Sequence, residues 1–355
     1  MRLGVTLLAG LVLGGCTRHV DDQPDASWPA LPDVGSPDRA LPDLASPDCP
    51  TIGDGASQMG WRVASTLATP LFGVACVSGH LYVAGAKGTL LHHGPGSAPC
   101  APFETQQVPT QADLLTVTFA DLSYGATAGR DPTIWETRDG GKTWVIAPQC
   151  GDVEFDVFHA LHLHSASKGY GVGNASSQAG GAYKIYAGKT WICPNQTFAN
   201  QDFLGTFRRE DLGWIVGDTK GRIYHTPDEA VSWFYTDMPL VKPMRDVFFT
   251  APMVGIIVGD EGIILRSDDG KGLDWSQVTT LGTDDLTDVY FFDDHRGWVV
   301  GHAGTIMYTE DAGQSWSYQS APTTERLSGI CFTSASDGWA VGEAGTVLFT
   351  TTGGE

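Results

Sequence analysis

A glycine preceded by alanine or valine recurs at Gly85, Gly129, Gly173, Gly217, Gly259, Gly301 and Gly342. The intervals are 44, 44, 44, 42, 42 and 41 residues. A period of this size marks one supersecondary unit used repeatedly. Around the glycine the copies share a layout. First comes an apolar run ending in Phe, as in "LLTVTF", "DVFF", "DVYF" and "GICF". A polar turn leads to "GWIVG", "VGIIVG", "GWVVG" or "GWAVG", and then to "GRIYHT", "GIILRS", "GTIMYT" or "GTVLFT". An Asp-containing turn and a Trp close the unit: "RDGGKTW", "PDEAVSW", "DDGKGLDW", "EDAGQSW". The runs are short and lack the helical 3.6 period, so they read as strands. The expected fold is all-β, a seven-bladed propeller with four-stranded blades. Each small sheet has two apolar faces and is stable only when stacked radially between neighbours. The 45 Gly, 15 Phe and 11 Trp fit a turn-rich, aromatic-rich β protein.

The last copy, "GTVLFTTTGGE", ends before its Trp, which in the cleanest copies follows the recurrent Gly by 15 residues. Just ahead of the first unit, "GASQMGWRVAST" supplies Trp61 at the start of a strand. This N-terminal strand is expected to complete the last blade and close the ring.

The opening "MRLGVTLLAGLVLGGC" joins one Arg to an apolar run too short to span a bilayer, and reads as a signal peptide over 1–15. Leu13-Gly14-Gly15-Cys16 resembles the bacterial lipobox, which implies cleavage before Cys16 and lipidation of its thiol. Thr17 is not the Asp of the inner-membrane retention rule, so the outer membrane of a bacterial envelope is the expected location. Residues 16–57 are rich in Pro and Asp and contain the quasi-repeat "ALPDVGSPDR"/"ALPDLASPDC", an extended linker. The propeller takes 58–355. With 21 Lys+Arg against 41 Asp+Glu, the formal charge is −20. Such a surface repels nucleic acid and anionic headgroups and favours basic partners or divalent cations.

The units resemble those of the photosystem II stability/assembly factor family of seven-bladed propellers, and more loosely the Asp-box repeats of sialidases. The likeness rests on Phe291–Trp316, Phe332–Gly354, Asp211–Trp233, Phe249–Trp275 and "TRDGGKTW" at 137–144, and extends over roughly 60–355. It implies structural roles for Asp139, Asp228, Asp269 and Asp311, whose carboxylates fix turns. Trp144, Trp233, Trp275 and Trp316 pack beneath those turns, with Trp61 as their counterpart in the last unit. One carboxylate per turn is too few for a calcium shell. The resemblance further implies a scaffold or assembly role without catalysis or cofactor, and a protein partner. With the lipobox and stalk it points to the cell envelope rather than to photosynthesis.

The ends of the inner strands carry the charged residues best placed for chemistry or binding. Arg208, Arg209, Arg245, Asp246, Asp288, Glu325 and Arg326 are the candidate binding rim. A sialidase-like arginine triad among the arginines, and with it a carbohydrate-binding or glycoside-hydrolysing module, is the second reading. A purely structural subunit of a larger envelope complex is the third. His162 and His164 share a strand face and form a weak metal candidate. Beyond Cys16 there are six cysteines. Pairing within units joins Cys76 to Cys100 and Cys150 to Cys193, leaving Cys49 for Cys331. Alternatively Cys76 and Cys331, at similar inner-strand positions of the first and last units, meet where the ring closes.

Overall fold

The computed structural model describes residues 60–148, 155–175, 180–187, 190–192, 198–199, 201–217, 221–239, 242–251, 253–280 and 282–355. The signal peptide, the linker, Cys16, Cys49, Cys150 and Cys193 lie outside the described residues. No helix among the described residues is long and apolar enough to cross a membrane.

The described strands form seven antiparallel sheets. In chain order they occupy 71–105, 114–146, 157–199, 203–237, 244–278, 286–319, and 327–350 joined to 62–66, called blades one to seven. The inner strands contact one another in sequence, and that of blade seven contacts that of blade one, so the ring is closed. The outermost strand of blade seven is Arg62–Thr66, paired antiparallel with Thr346–Thr350.

The expectation of uniformly four-stranded blades is corrected. Six of the sheets are four-stranded, whereas blade three has five strands. Its third strand, Gly180–Ala187, is eight residues long, and its neighbour Thr190–Ile192 pairs only with Ile185–Ala187. Phe198–Ala199 takes the uncovered start of that edge, opposite Gly180 and Gly181. An over-long strand offers unpaired backbone groups, and a second short strand satisfies part of them.

The second strands explain why these sheets stack. In "GWVVG" of blade six, Val299 packs with Ile256, Val258 and Ile264 of blade five. Trp298 and Val300 point the other way, onto Leu327, Ile330 and Phe332 of blade seven. Both faces are buried, so the run is apolar without alternation. The same packing crosses the closure, where Trp339, Val341 and Phe349 meet Leu71, Leu81 and Val83.

The paired glycines differ in their reasons. The recurrent Gly301 is extended, with φ −170°, but a Cβ there would lie 2.2 Å from the Asp285 carbonyl oxygen. Close backbone approach, not handedness, excludes other residues. Gly304 has φ +69°, and its amide donates to the Glu325 carbonyl of the next blade.

Cys76 is bonded to Cys331 with Cα atoms 5.7 Å apart, so the within-unit pairing of Cys76 with Cys100 and that of Cys331 with Cys49 are both corrected. The two residues occupy inner strands that become neighbours only on closure, whereas Cys100 lies in the loop between the third and fourth strands of blade one. Cys100 is itself disulfide-bonded. The Cys76–Cys331 bond spans 255 residues of sequence. Replacing both cysteines by Ser is expected to lower stability by about 3 kcal/mol in urea denaturation under non-reducing conditions.

Candidate functional site

All seven inner strands carry a bulge at the same place. The unpaired residues are Phe72, Leu115, His159, Leu204, Arg245, Thr287 and Ser328. A bulge bends the strand and re-aims one side chain. All seven line the axial cavity, which measures about 330 Å³. Phe72, Leu115 and Leu204 make one side apolar, while the Arg245, Thr287 and Ser328 arc is polar.

Neighbouring inner strands run parallel and are tied through side chains. The Leu161 amide donates to Thr116 Oγ1 (3.2 Å) and the Leu163 amide to Thr118 Oγ1 (3.4 Å). In blades five to seven, carboxyls take this role: the Val289 amide donates to Asp246 Oδ2 (3.2 Å) and the Ile330 amide to Asp288 Oδ2 (2.7 Å). The Val289 amide also donates to Asp288 Oδ1 (3.1 Å), so the two carboxyls converge on one amide, and burial followed by the Asp246 charge pushes Asp288 well above the usual carboxylate range.

Parallel strands sort the candidate rim onto two ends of the channel. Arg245, Asp246, Asp288, Glu325 and Arg326 lie toward the near mouth, where the inner strands begin. Arg208 and Arg209 end the inner strand of blade four, at the far mouth. In the shared bulge register Leu204 corresponds to Arg245, so Arg208 and Arg209 lie four and five residues further along, roughly 13–17 Å. No arginine triad forms from these four.

The near-mouth charges are paired. Arg245 bonds Asp260, and Arg326 Nη1 lies 3.8 Å from Glu343. His302 Nδ1 lies 3.6 Å from Asp285. Burial, then the neighbouring Arg245 guanidinium, pull the Arg326 pKa downward. Glu325 is exposed, and its amide donates to Thr323 Oγ1. Arg208 is different: it is buried at 1% exposure, lies over the Tyr170 ring, and donates from Nε to the Glu210 carbonyl (3.1 Å). Arg209 donates to the Thr250 carbonyl of blade five (2.8 Å). Nothing in "FRRED" distinguishes a buried interblade arginine from a rim arginine.

His162 and His164 do not converge on a metal position. His162 Nδ1 accepts the Arg208 amide (3.0 Å), and its ring stacks on Phe207. Burial, then His164 and Arg208, lower its pKa to about 3. His164 Nε2 faces Glu210 at 3.3 Å. The one cluster of metal-ligating groups among the described residues is Asp293, Asp294 and His295, a partly exposed turn.

The Asp turns repeat one geometry. Asp311 accepts the Ser315 amide (2.9 Å) and the Thr309 hydroxyl (2.7 Å), and Asp228 the Ser232 amide (2.8 Å) and the Thr226 hydroxyl (2.9 Å). Asp139 accepts the Thr143 amide (2.9 Å) and the Thr137 hydroxyl (2.9 Å). Asp269 takes four amides, those of Lys271, Gly272, Leu273 and Asp274. Behind each turn the Trp is buried or nearly so, Trp233 among them. Trp144, Trp275 and Trp316 meet Phe119, Phe249 and Phe291 edge-on, at 6.1, 5.8 and 6.0 Å. Trp61 meets Phe332 in the same way at 5.9 Å, so it is the missing Trp of blade seven.

The family described as photosynthesis system II assembly factor YCF48 matches residues 225–318 and 271–355, the stretch where these units are most regular. Residues 225–355 are thus similar to the repeats of this family. The photosystem II assembly protein Ycf48 of Thermosynechococcus vestitus is 23% identical over 261 residues, covering 60% of this chain and 74% of that protein. The solved structure of YCF48 from Cyanidioschyzon merolae has a TM-score of 0.65 at 15% identity, covering 82% of this chain and 98% of that one. A structure of YCF48 bound to D1 peptide has a TM-score of 0.66 at 18% identity, covering 84% and 96%. At these identities the structural likeness speaks for the propeller fold alone.

Two measurements separate rim from scaffold. Arg208→Ala is expected to lose about 3 kcal/mol of stability, since it strands buried partners, and Arg326→Ala less than about 0.5 kcal/mol; parallel urea titrations check this. For Asp269, partial burial raises the pKa, but the amides of Lys271, Asp274 and Leu273 outweigh it and hold the carboxyl at about 2. Its stabilisation is therefore present above the ordinary carboxylate value and lost as pH falls through about 2. Asp269→Asn should lower stability by about 1 kcal/mol at pH 7, and the gap to the unmodified protein should close on acidification.

Proposed function

We propose that the protein is a lipid-anchored propeller of the bacterial cell envelope, placed on the outer membrane, which holds a partner polypeptide against the near mouth of its channel as a binding or assembly scaffold. The observation that carries this reading is the likeness to a YCF48 propeller solved with a peptide bound. The lipobox ending at Cys16 and the Pro/Asp linker support the anchor and its reach. At the near mouth, Arg245 and Arg326 are held by partly exposed acids of their own blades. The more exposed Arg326–Glu343 pair is worth about 0–1 kcal/mol, so exchanging it for a charge on a partner costs little. The rigid strands behind the mouth keep the exchanged groups in place.

A glycoside hydrolase fits the same residues poorly. Its two carboxyls stand about 5 Å or more apart, whereas Asp246 and Asp288 touch each other and are committed to strand amides. Mild crosslinking and detergent extraction should recover one protein partner in stoichiometric amount. The double substitution Arg245→Glu/Arg326→Glu should reduce that recovery at least tenfold while leaving the unfolding midpoint within a few degrees. Recovery of the protein alone, together with cleavage of a fluorogenic glycoside, would falsify the scaffold reading.

A further inference from the structure

The position after each bulge carries Gly73, Thr116, Ala160, Gly205, Asp246, Asp288 and Gly329. In three blades this side chain accepts an amide of the next inner strand. Thr116 does so with a neutral hydroxyl, so the tie itself needs no ionisable group. Two consecutive blades nonetheless use carboxyls, and these face each other. Two adjacent carboxylates in an enclosed site cannot both carry charge without strong repulsion. One shared proton removes the repulsion and adds a hydrogen bond between the blades.

We infer that the Asp246–Asp288 pair is a proton-linked latch: with its shared proton it ties the inner strands of blades five, six and seven, and loss of that proton loosens this arc of the channel wall. The surroundings leave the pair without a countercharge. Of the titratable side chains lining the channel, Arg245, on the strand of Asp246, bonds Asp260. Tyr290, beside Asp288, donates to the Phe332 carbonyl. His159 and His162 come from blade three, and burial lowers both, so they stay neutral. The channel faces of blades one, two, four and seven contribute no ionisable side chain among the described residues, Cys76 and Cys331 being disulfide-bonded.

The direction follows from proton linkage. The folded state keeps a proton that unfolded carboxyls release near pH 4. The latch is fully engaged at low pH, and its contribution declines as pH rises through the elevated folded value.

The test compares thermal unfolding of the unmodified protein and Asp288→Asn at half-unit steps from pH 5 to 9. The amide keeps the acceptor for Ile330 and cannot ionise. The midpoint of the unmodified protein should fall by several degrees more than that of the variant over this range. Parallel curves would overturn the latch. Asp246→Asn serves as the second variant, with the same expectation. Carbon-13 carboxyl titration of the unmodified protein by NMR needs no substitution: one of the two aspartates should titrate well above the ordinary carboxylate range. Two carboxyls that both titrate at or below that ordinary range would also sink the idea.

Discussion

Everything in this ring rests on the contact between Arg62–Thr66 and Thr346–Thr350. Seven sheets with apolar faces are satisfied only when each has two neighbours, and that pairing pins the segment leading into blade one to the outer edge of blade seven. Around it lie three further links. Trp61 reaches across to Phe332 and to Gln319 of blade six. Cys76 is bonded to Cys331 on the inner strands. The cluster spanning Leu71 to Phe349 fills the space between. Outer edge, inner edge and interior are each closed by a different kind of interaction.

Once closed, the ring arranges chemistry by strand position. Parallel inner strands turn a residue's place in its repeat into a depth along the axis. Arg326 and Arg245 therefore belong to one mouth, and Arg208 and Arg209 to the other, although all four look alike as residues at strand ends. The near mouth holds loosely paired charges. The far end of blade four holds a buried guanidinium stacked on Tyr170. Recognition fits the first setting and interblade cohesion the second.

The repeat and its landmark glycines were legible because backbone crowding excludes a Cβ at positions such as Gly301, whatever the neighbouring side chains. Trp61 was legible because a missing aromatic leaves a countable gap in the period. The fifth strand of blade three was not, since it depends on how far a neighbouring strand runs, which local composition does not encode. The disulfide partner of Cys76 was undecided for a related reason: proximity across the closure and proximity within a blade are equally consistent with spacing. The contact between Asp246 and Asp288 was hidden as well. Both read as rim residues in the sequence, but only the shared register of the bulges brings two residues 42 positions apart onto one amide.

The common bulge has one more consequence. It presents seven side chains to the channel from a backbone that is the same each time, and those seven include phenylalanine, leucine, histidine, arginine, threonine and serine. None of the seven pairs across the ladder, so the strand hydrogen bonds do not dictate the side chain there, although Thr287 Oγ1 donates to the Val300 and Leu327 carbonyls and Arg245 bonds Asp260. What a propeller of this build recognises along its axis is free to diverge through seven independent substitutions, while the fold that displays them stays unchanged.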